Sequence, residues 1–559
     1  MKHFRTVIAA TALIMISACG QSGESPESAD RVFTHGQVWT GGDAVGVDAE
    51  AFAVKDGKIL DVGSSSDMAA YIGDKTDVVD LQGAFVVPGL IDNHVHFFEG
   101  SFTLTQVQLR DAATPEEFTR RIAEAAANAP QGTWVLGGNW DHELWGGELP
   151  DRTWIDAATG DVPVSVNRLD GHMVLANSKA LELAGIDAST PDPEGGVIVR
   201  DPSGRPTGVL KDAAMFMMDQ AVPKPSEARM EEVYRMGMAY AAKMGVTQVH
   251  DMSYDYRSLE AYRRLRDKGE LALRIYAFTP LDQWQRMETF VAEHGRGDDM
   301  LRWGGLKGFV DGALGSTTAW MYKPYADAPE TIGFPLLSMN ELQNRVFGGT
   351  QAGLHVTVHG IGFQANDKLL DIFENVAARV DRTDLRFRIE HAQHLTAEAI
   401  PRFAELDVTA SMHPYHLIDD GRWAEKRLGK ERLAGTYAIG SVMRAGGRVT
   451  FGSDWPVAPL DPIMGIYAAV TRRTLDGANP DGWIPDEKIS VLDALRAYTV
   501  NNAYAGYQED RLGLIKAGYL ADFVVLDANL FDVDPVAIKD AKVLRTVIGG
   551  IDRYRAEND

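Results

Sequence analysis

The sequence predicts an α/β protein: a (β/α)8 TIM barrel with a large insertion after strand one, plus a small β-sandwich built from both termini. Three observations carry this. Short strands separated by glycine turns fill the two ends of the chain. Between them, apolar β-branched runs alternate with amphipathic helical stretches, the pattern of a parallel sheet. Candidate metal ligands recur at the ends of those runs, where a barrel of this class carries its chemistry.

The first twenty residues are read separately from the fold. Lys2 and Arg5 precede an almost wholly apolar run from Thr6 to Ala18. As a helix that run rises about 20 Å, short of the ~30 Å hydrocarbon core, so it suits a secretion signal rather than a membrane span. It ends in Ile16-Ser17-Ala18-Cys19, which resembles a bacterial lipobox, and Cys19 is the single cysteine of the chain. The expectation is a lipoprotein signal peptide over residues 1–19, lipid attached at Cys19, and a flexible tether over residues 20–30. That places the protein on the periplasmic face of the cell envelope, with Gly20 after the cysteine favouring the outer membrane.

The terminal strands follow. Val32-Phe33-Thr34, Ala51–Val54 and Lys58–Gly63 are short apolar runs, the last two joined by Asp56-Gly57, a hairpin signal. Gly518–Leu526 and Val543–Gly549 mirror them, with Gly549-Gly550 as a further turn. Residues 31–85 and 510–559 are therefore assigned to the sandwich and 86–509 to the barrel. Its expected strands are Phe85–Ile91, Val246–Val249, Leu273–Phe278, Gly305–Val310, His355–Val358, Arg386–Glu390, Val408–Ser411 and Arg448–Phe451. The gap between the first two far exceeds a normal βα unit, so residues from about 100 to 230 are assigned to an inserted subdomain.

Length and composition narrow the function class. At 559 residues the chain exceeds one simple core, and 45% apolar with 24% charged residues is ordinary for a globular protein. A net charge of −24 argues against a nucleic-acid partner, because a phosphate backbone demands clustered Lys and Arg. The expected partner is a small-molecule substrate, with the membrane touched only through the lipid anchor. A homodimer is the default assembly.

The strand ends carry the chemistry. His94-Val95-His96 closes the first run, and alternate strand residues share a face, so both imidazoles can aim at one ion. Lys307 follows on strand four, His359 on strand five, His391 on strand six and Asp454 on strand eight. Singly, each reads as well as a core histidine, a solvated lysine or a helix cap. Together, in barrel order, they describe a divalent-metal site.

These motifs make the chain resemble the amidohydrolase superfamily, specifically its amidohydrolase-3 (YtcJ-like) branch. The matching stretches are Pro88–His96, Gly171–Leu181, Lys307–Gly315, Ile389–Ala392, Gly452–Pro456 and Leu514–Asp527. The resemblance implies that His94, His96 and Asp454 hold a more buried ion and His359 and His391 a more exposed one. It further implies two zinc ions bridged by a carboxylated Lys307, or one ion if Lys307 is unmodified. The implied reaction is hydrolysis of a non-peptide or small-peptide C–N amide bond by metal-activated hydroxide, with Asp454 as proton shuttle. His172 would polarise the substrate carbonyl. His413, where the family often has Gln, and His416 are expected to touch substrate rather than metal. Trp140 is assigned to the pocket wall, with ordinary loop packing as the other reading. His250 could line the pocket or pack the core, and His355 is assigned to the barrel interior or bottom.

Two rival reactions lie within the superfamily. Ring deamination calls for a carboxylate just after the strand-five histidine, where this chain has Gly360-Ile361-Gly362. Hydrolysis of an ester, lactone or cyclic imide would use the same site. A third reading, from another class, is a lipid-anchored binding protein with a decayed centre, which metal content would distinguish.

Overall fold

The computed structural model describes residues 27–168, 173–193, 196–212, 214–252 and 256–557. The expected signal peptide, Cys19 and His172 lie outside the described residues. No helix among the described residues is long and apolar enough to cross a membrane.

Eight parallel strands form the barrel: β1 (Leu90–Val95), β2 (Val246–Met252), β3 (Arg274–Pro280), β4 (Leu301–Phe309), β5 (His355–Gly360), β6 (Arg388–His391), β7 (Thr409–Met412) and β8 (Val449–Phe451). Each pairs with the next in sequence. Helices cover the outside because their apolar residues recur at helical spacing. On Phe363–Ala377, for example, Leu369, Leu370, Phe373 and Val376 are all buried in the main core.

The first strand differs from expectation. The run Phe85–Ile91 divides at Gly89. Phe85–Pro88 pairs antiparallel with Phe523–Leu526 in the sandwich, and the barrel strand starts at Leu90. A Cβ on Gly89 would lie 2.3 Å from Thr247 Oγ1, so only glycine lets the chain pass so close to β2. The division moves the barrel strand toward its metal ligands: His94 sits within β1 and His96 just after it.

The sandwich takes strands from both ends. One sheet runs Lys58–Gly63, Ala51–Lys55, Arg31–Thr34, Asp77–Asp80, and the other Gln37–Val38, Phe85–Pro88, Phe523–Leu526, Val543–Ile548, Ile551–Arg555. Phe33, Phe52 and Phe523 meet between them with ring centroids 4.8–4.9 Å apart. The sandwich is clamped to the barrel by a buried, two-pronged ion pair in which Arg274 of β3 reaches Asp522 at 2.5 and 2.8 Å.

Between β1 and β2 the chain builds a separate six-stranded sheet, in the order Gly196–Arg200, Pro206–Asp212, Met173–Ala176, Val164–Arg168, Val135–Trp140, Val107–Gln108. Helix Pro115–Asn128, capped by Thr114, lays Phe118, Ile122 and Ala126 on it. Trp140 belongs to this core. It is fully buried and its indole N–H donates to the Val166 carbonyl at 2.9 Å. The expectation that it lines the substrate pocket is corrected: an indole with its one donor satisfied inside an apolar layer is a packing residue.

The barrel closes between β8 and β1 just beyond the end of β8. The Asp454 N–H donates to the His94 carbonyl at 2.7 Å, and the His96 N–H to the Trp455 carbonyl at 2.8 Å. Side chains reinforce the seam. Asn502 donates to the carbonyls of Ile91 and Phe451, Asn93 donates to Thr450 Oγ1 at 2.6 Å, and Asp92 accepts the N–H groups of Ser453 and His94. Gly452 permits the approach, since a Cβ there would stand 2.7 Å from His94 N.

Candidate metal centre

The closing seam gathers the first ligands. His94 and His96 lie on one side of it and Asp454 on the other. Asp454 Oδ1 stands 3.2 Å from His96 Nε2 and 3.5 Å from His94 Nε2. His391 arrives from the end of β6, its ring centroid 5.3 Å from His94 and 4.4 Å from His359 on β5. Lys307 of β4 places Nζ 3.1 Å from His94 Nε2. All six expected ligands therefore meet at one end of the barrel, and all are buried. His391 and Asp454 adopt positive φ, +70° and +61°, a conformation that costs non-glycine residues energy and is found where function fixes the chain.

Hydrogen bonds decide which nitrogen each imidazole presents. His94 Nδ1 faces Glu390 Oε2 at 2.6 Å, so Nδ1 carries the proton and Nε2 offers its lone pair. His413 Nδ1 donates to the Gly452 carbonyl at 3.2 Å, and Nε2 is left to the centre. His359 does the reverse, donating from Nε2 to the Gly312 carbonyl at 3.1 Å. Burial pushes all these rings toward the neutral, ligating form: His359 down to about 4, His413 down to about 3, and His94 and His391 well below the ordinary histidine value. Burial also lowers Lys307 to about 8. For Asp454 burial works against the charge, and His96, His94 and His413 more than offset it, so the carboxyl sits below its usual range.

The donor set fits a divalent ion. Among the described residues His391 Nδ1, His413 Nε2 and His416 Nε2 are buried polar atoms with no hydrogen-bond partner, a costly arrangement unless something else satisfies them. Ligand atoms of His94, His391, His413 and Asp454 all lie within 4.8 Å of one another, compatible with imidazole and carboxylate bonds of about 2.0–2.2 Å to one centre.

His413 is therefore positioned among the ligand atoms rather than out in the substrate cavity. His416 stands further off, 4.0 Å from Asp454 Oδ2. It lines a cavity of about 470 Å³ that opens onto Lys307, His359, His391 and Asp454 and is walled by Phe309 and Trp423. His250 and His355 lie deeper in the barrel. His250 faces Arg388 at 3.0 Å, and His355 bonds Tyr276 and the Arg386 carbonyl.

Sequence reasoning missed Glu390. It is fully buried and braced by Ser411 at 2.6 Å, Arg388 at 2.8 Å and Thr357, and it orients His94. The available signal was Arg388 and Glu390 alternating on a strand whose every residue is buried, a charge pair that belongs inside the barrel. Asp311 was missed as well. It accepts the N–H groups of Ile361, Gly362 and Trp320, fixing the turn after His359, while burial lifts its carboxyl to about 6.

Residues 77–551 match the Amidohydrolase family. Among curated proteins, the chain is 39% identical to Protein LONG AFTER FAR-RED 3 of Arabidopsis thaliana over 94% of its own length and 92% of the relative's. It is 30% identical to the N-substituted formamide deformylase of Arthrobacter pascens, covering 90% and 95% of the two chains. Among solved structures, an uncharacterized metal-dependent hydrolase from Pyrococcus horikoshii superposes with a TM-score of 0.76 at 27% identity, over 90% of this chain and 99% of that one.

Proposed function

Because the chain belongs to the amidohydrolase family, we propose that it hydrolyses the C–N bond of a small amide, with N-substituted formamides the first compounds to try. The observation that carries this is the seam: it sets a buried carboxylate, Asp454, against His94 and His96 and beside an open cavity.

His94, His96 and Asp454 would hold one divalent ion, zinc by donor type, and His359 and His391 a second. Lys307, carboxylated by CO2, would stand between them; its lowered basicity supplies the neutral amine that CO2 requires. His413 is a further candidate donor. A divalent ion bound there would polarise a carbonyl and lower the pKa of water.

The chain's own residues do the rest. Asp454 accepts the proton of the attacking water and returns it to the leaving nitrogen, which as a free amide anion would be a poor leaving group. Glu390 keeps the His94 lone pair aimed at the centre. Phe309 and Trp423 take the organic part of the substrate, and His416 stands within reach of its polar end. We further propose that Cys19 carries a lipid which holds the enzyme on the periplasmic side of the envelope, a reading supported by the sequence of residues 1–19.

The test is a panel of N-substituted formamides, N-acyl amino acids, dipeptides and esters, run with wild type and Asp454→Asn. Amide turnover that collapses in the variant supports the reading. Turnover of esters alone, or undiminished activity in Asp454→Asn, overturns it.

A further inference from the structure

The opposite mouth of the barrel carries a second built cavity, of about 460 Å³, lined by Tyr276, Arg296, Arg302, His355, Arg382 and Tyr507. Three guanidinium groups converge on it, although acidic residues outnumber basic ones in this chain by 79 to 55. Each is tethered to a main-chain carbonyl: Arg296 to Gly353 at 2.6 Å, Arg382 to Thr350 at 3.0 Å, and Arg302 to Gly506. Among the described residues none of the three has a carboxylate within 4.0 Å. One carboxylate, Asp384, also lines the cavity, but it is engaged by Arg386, as is Glu509, while Asp299 pairs with Arg511.

The groups are aimed rather than merely exposed. Arg302, half-buried, lies over the Tyr276 ring at 5.1 Å, which fixes the plane of its fork. Gly353 leaves an open corner, since a Cβ there would lie 3.8 Å from both Arg296 Nη2 and Arg382 Nη1. Burial disfavours the charge on Arg302, Arg511 and Arg296 add to that, and Tyr276 and Asp299 offset it only in part. Each guanidinium spends one N–H on its carbonyl and keeps others for a ligand, and forked donors match the oxygens of a phosphoryl group.

We propose that this mouth binds a phosphoryl dianion, either free phosphate or the phosphate of a small ester whose organic part lies against Tyr507. The site is remote in kind from the metal centre: it is built from the starts of β4 and β5, whose far ends carry Lys307 and His359.

The test is thermal unfolding and calorimetric titration of the full chain with inorganic phosphate, glycerol 3-phosphate and chloride at matched ionic strength. Wild type and Asp454→Asn should both show saturable binding and a raised melting temperature with phosphate but not with chloride. Arg382→Gln, an exposed change that spares the fold, and Arg302→Lys should each weaken phosphate at least tenfold. Glycerol 3-phosphate binding as tightly as phosphate assigns an ester; phosphate alone binding assigns the free ion. Equal effects of chloride and phosphate, unchanged affinity in Arg382→Gln, or loss of binding in Asp454→Asn would overturn the proposal.

Discussion

The Asp454 N–H donates to the His94 carbonyl at 2.7 Å, a hydrogen bond that helps close the barrel and brings two metal ligands face to face. The barrel is not closed at this point by a regular ladder: a single parallel bridge, Val95 with Trp455, joins the two strands. The ligands are thus held by the same contacts that complete the fold, so damage to the seam should register in both metal affinity and stability.

Gly452→Ala tests that coupling. The added methyl would meet His94 N at 2.7 Å and His94 Cβ at 2.9 Å, with Asn93 Oδ1 equally close. Overpacking of this kind costs about 1–3 kcal/mol. The variant should unfold at lower denaturant concentration and bind metal more weakly, as read by chelator competition.

Glu390→Gln addresses the orientation of His94. Removing the charge leaves Arg388 without its buried counter-ion, at a cost of about 3–5 kcal/mol, and blurs the choice of His94 tautomer. Metal affinity should fall 10–100-fold, the usual consequence of losing such a support. An unchanged affinity would show that Glu390 only packs the barrel.

Asp454→Asn keeps the shape and removes the proton acceptor. Its kcat should drop by about 10²–10⁴, and with one metal ligand weakened its metal content should fall as well. Stopped assays on the best amide of the panel would measure this.

Asp522→Ala separates stability from chemistry. It breaks the buried pair with Arg274 that joins sandwich to barrel, which should cost about 3–5 kcal/mol in denaturant unfolding. At low temperature the folded fraction should retain wild-type kcat, because the pair lies in the barrel-to-sandwich contact and not in the cavity.

Much of this was legible in the sequence because the ligands follow buried strands, and strand ends are marked by apolar runs that stop at polar residues. His94, His359, His391 and Asp454 could be placed in barrel order on that ground alone. What escaped depended on partners distant in the chain. Phe85–Ile91 reads as one strand because nothing local shows that Gly89 must pass Thr247. Asn502, which ties Ile91 to Phe451, sits in a helical stretch with no local mark of its role. Glu390 hid behind the more conspicuous His391, and His413 could be aimed at the ligands only once its bond to Gly452 was known. Trp140 was misread because aromatic residues in a polar-looking stretch resemble a pocket wall, whereas the insertion has a core of its own.

The most direct test of the central claim is the metal content of the purified protein, measured by elemental analysis per chain. One or two divalent ions per chain are expected in the wild type, reduced in Asp454→Asn and in His391→Ala, with amide hydrolysis lost on chelation and restored by zinc. Wild-type protein that turns over an amide while holding no divalent ion, before and after chelation, would contradict it.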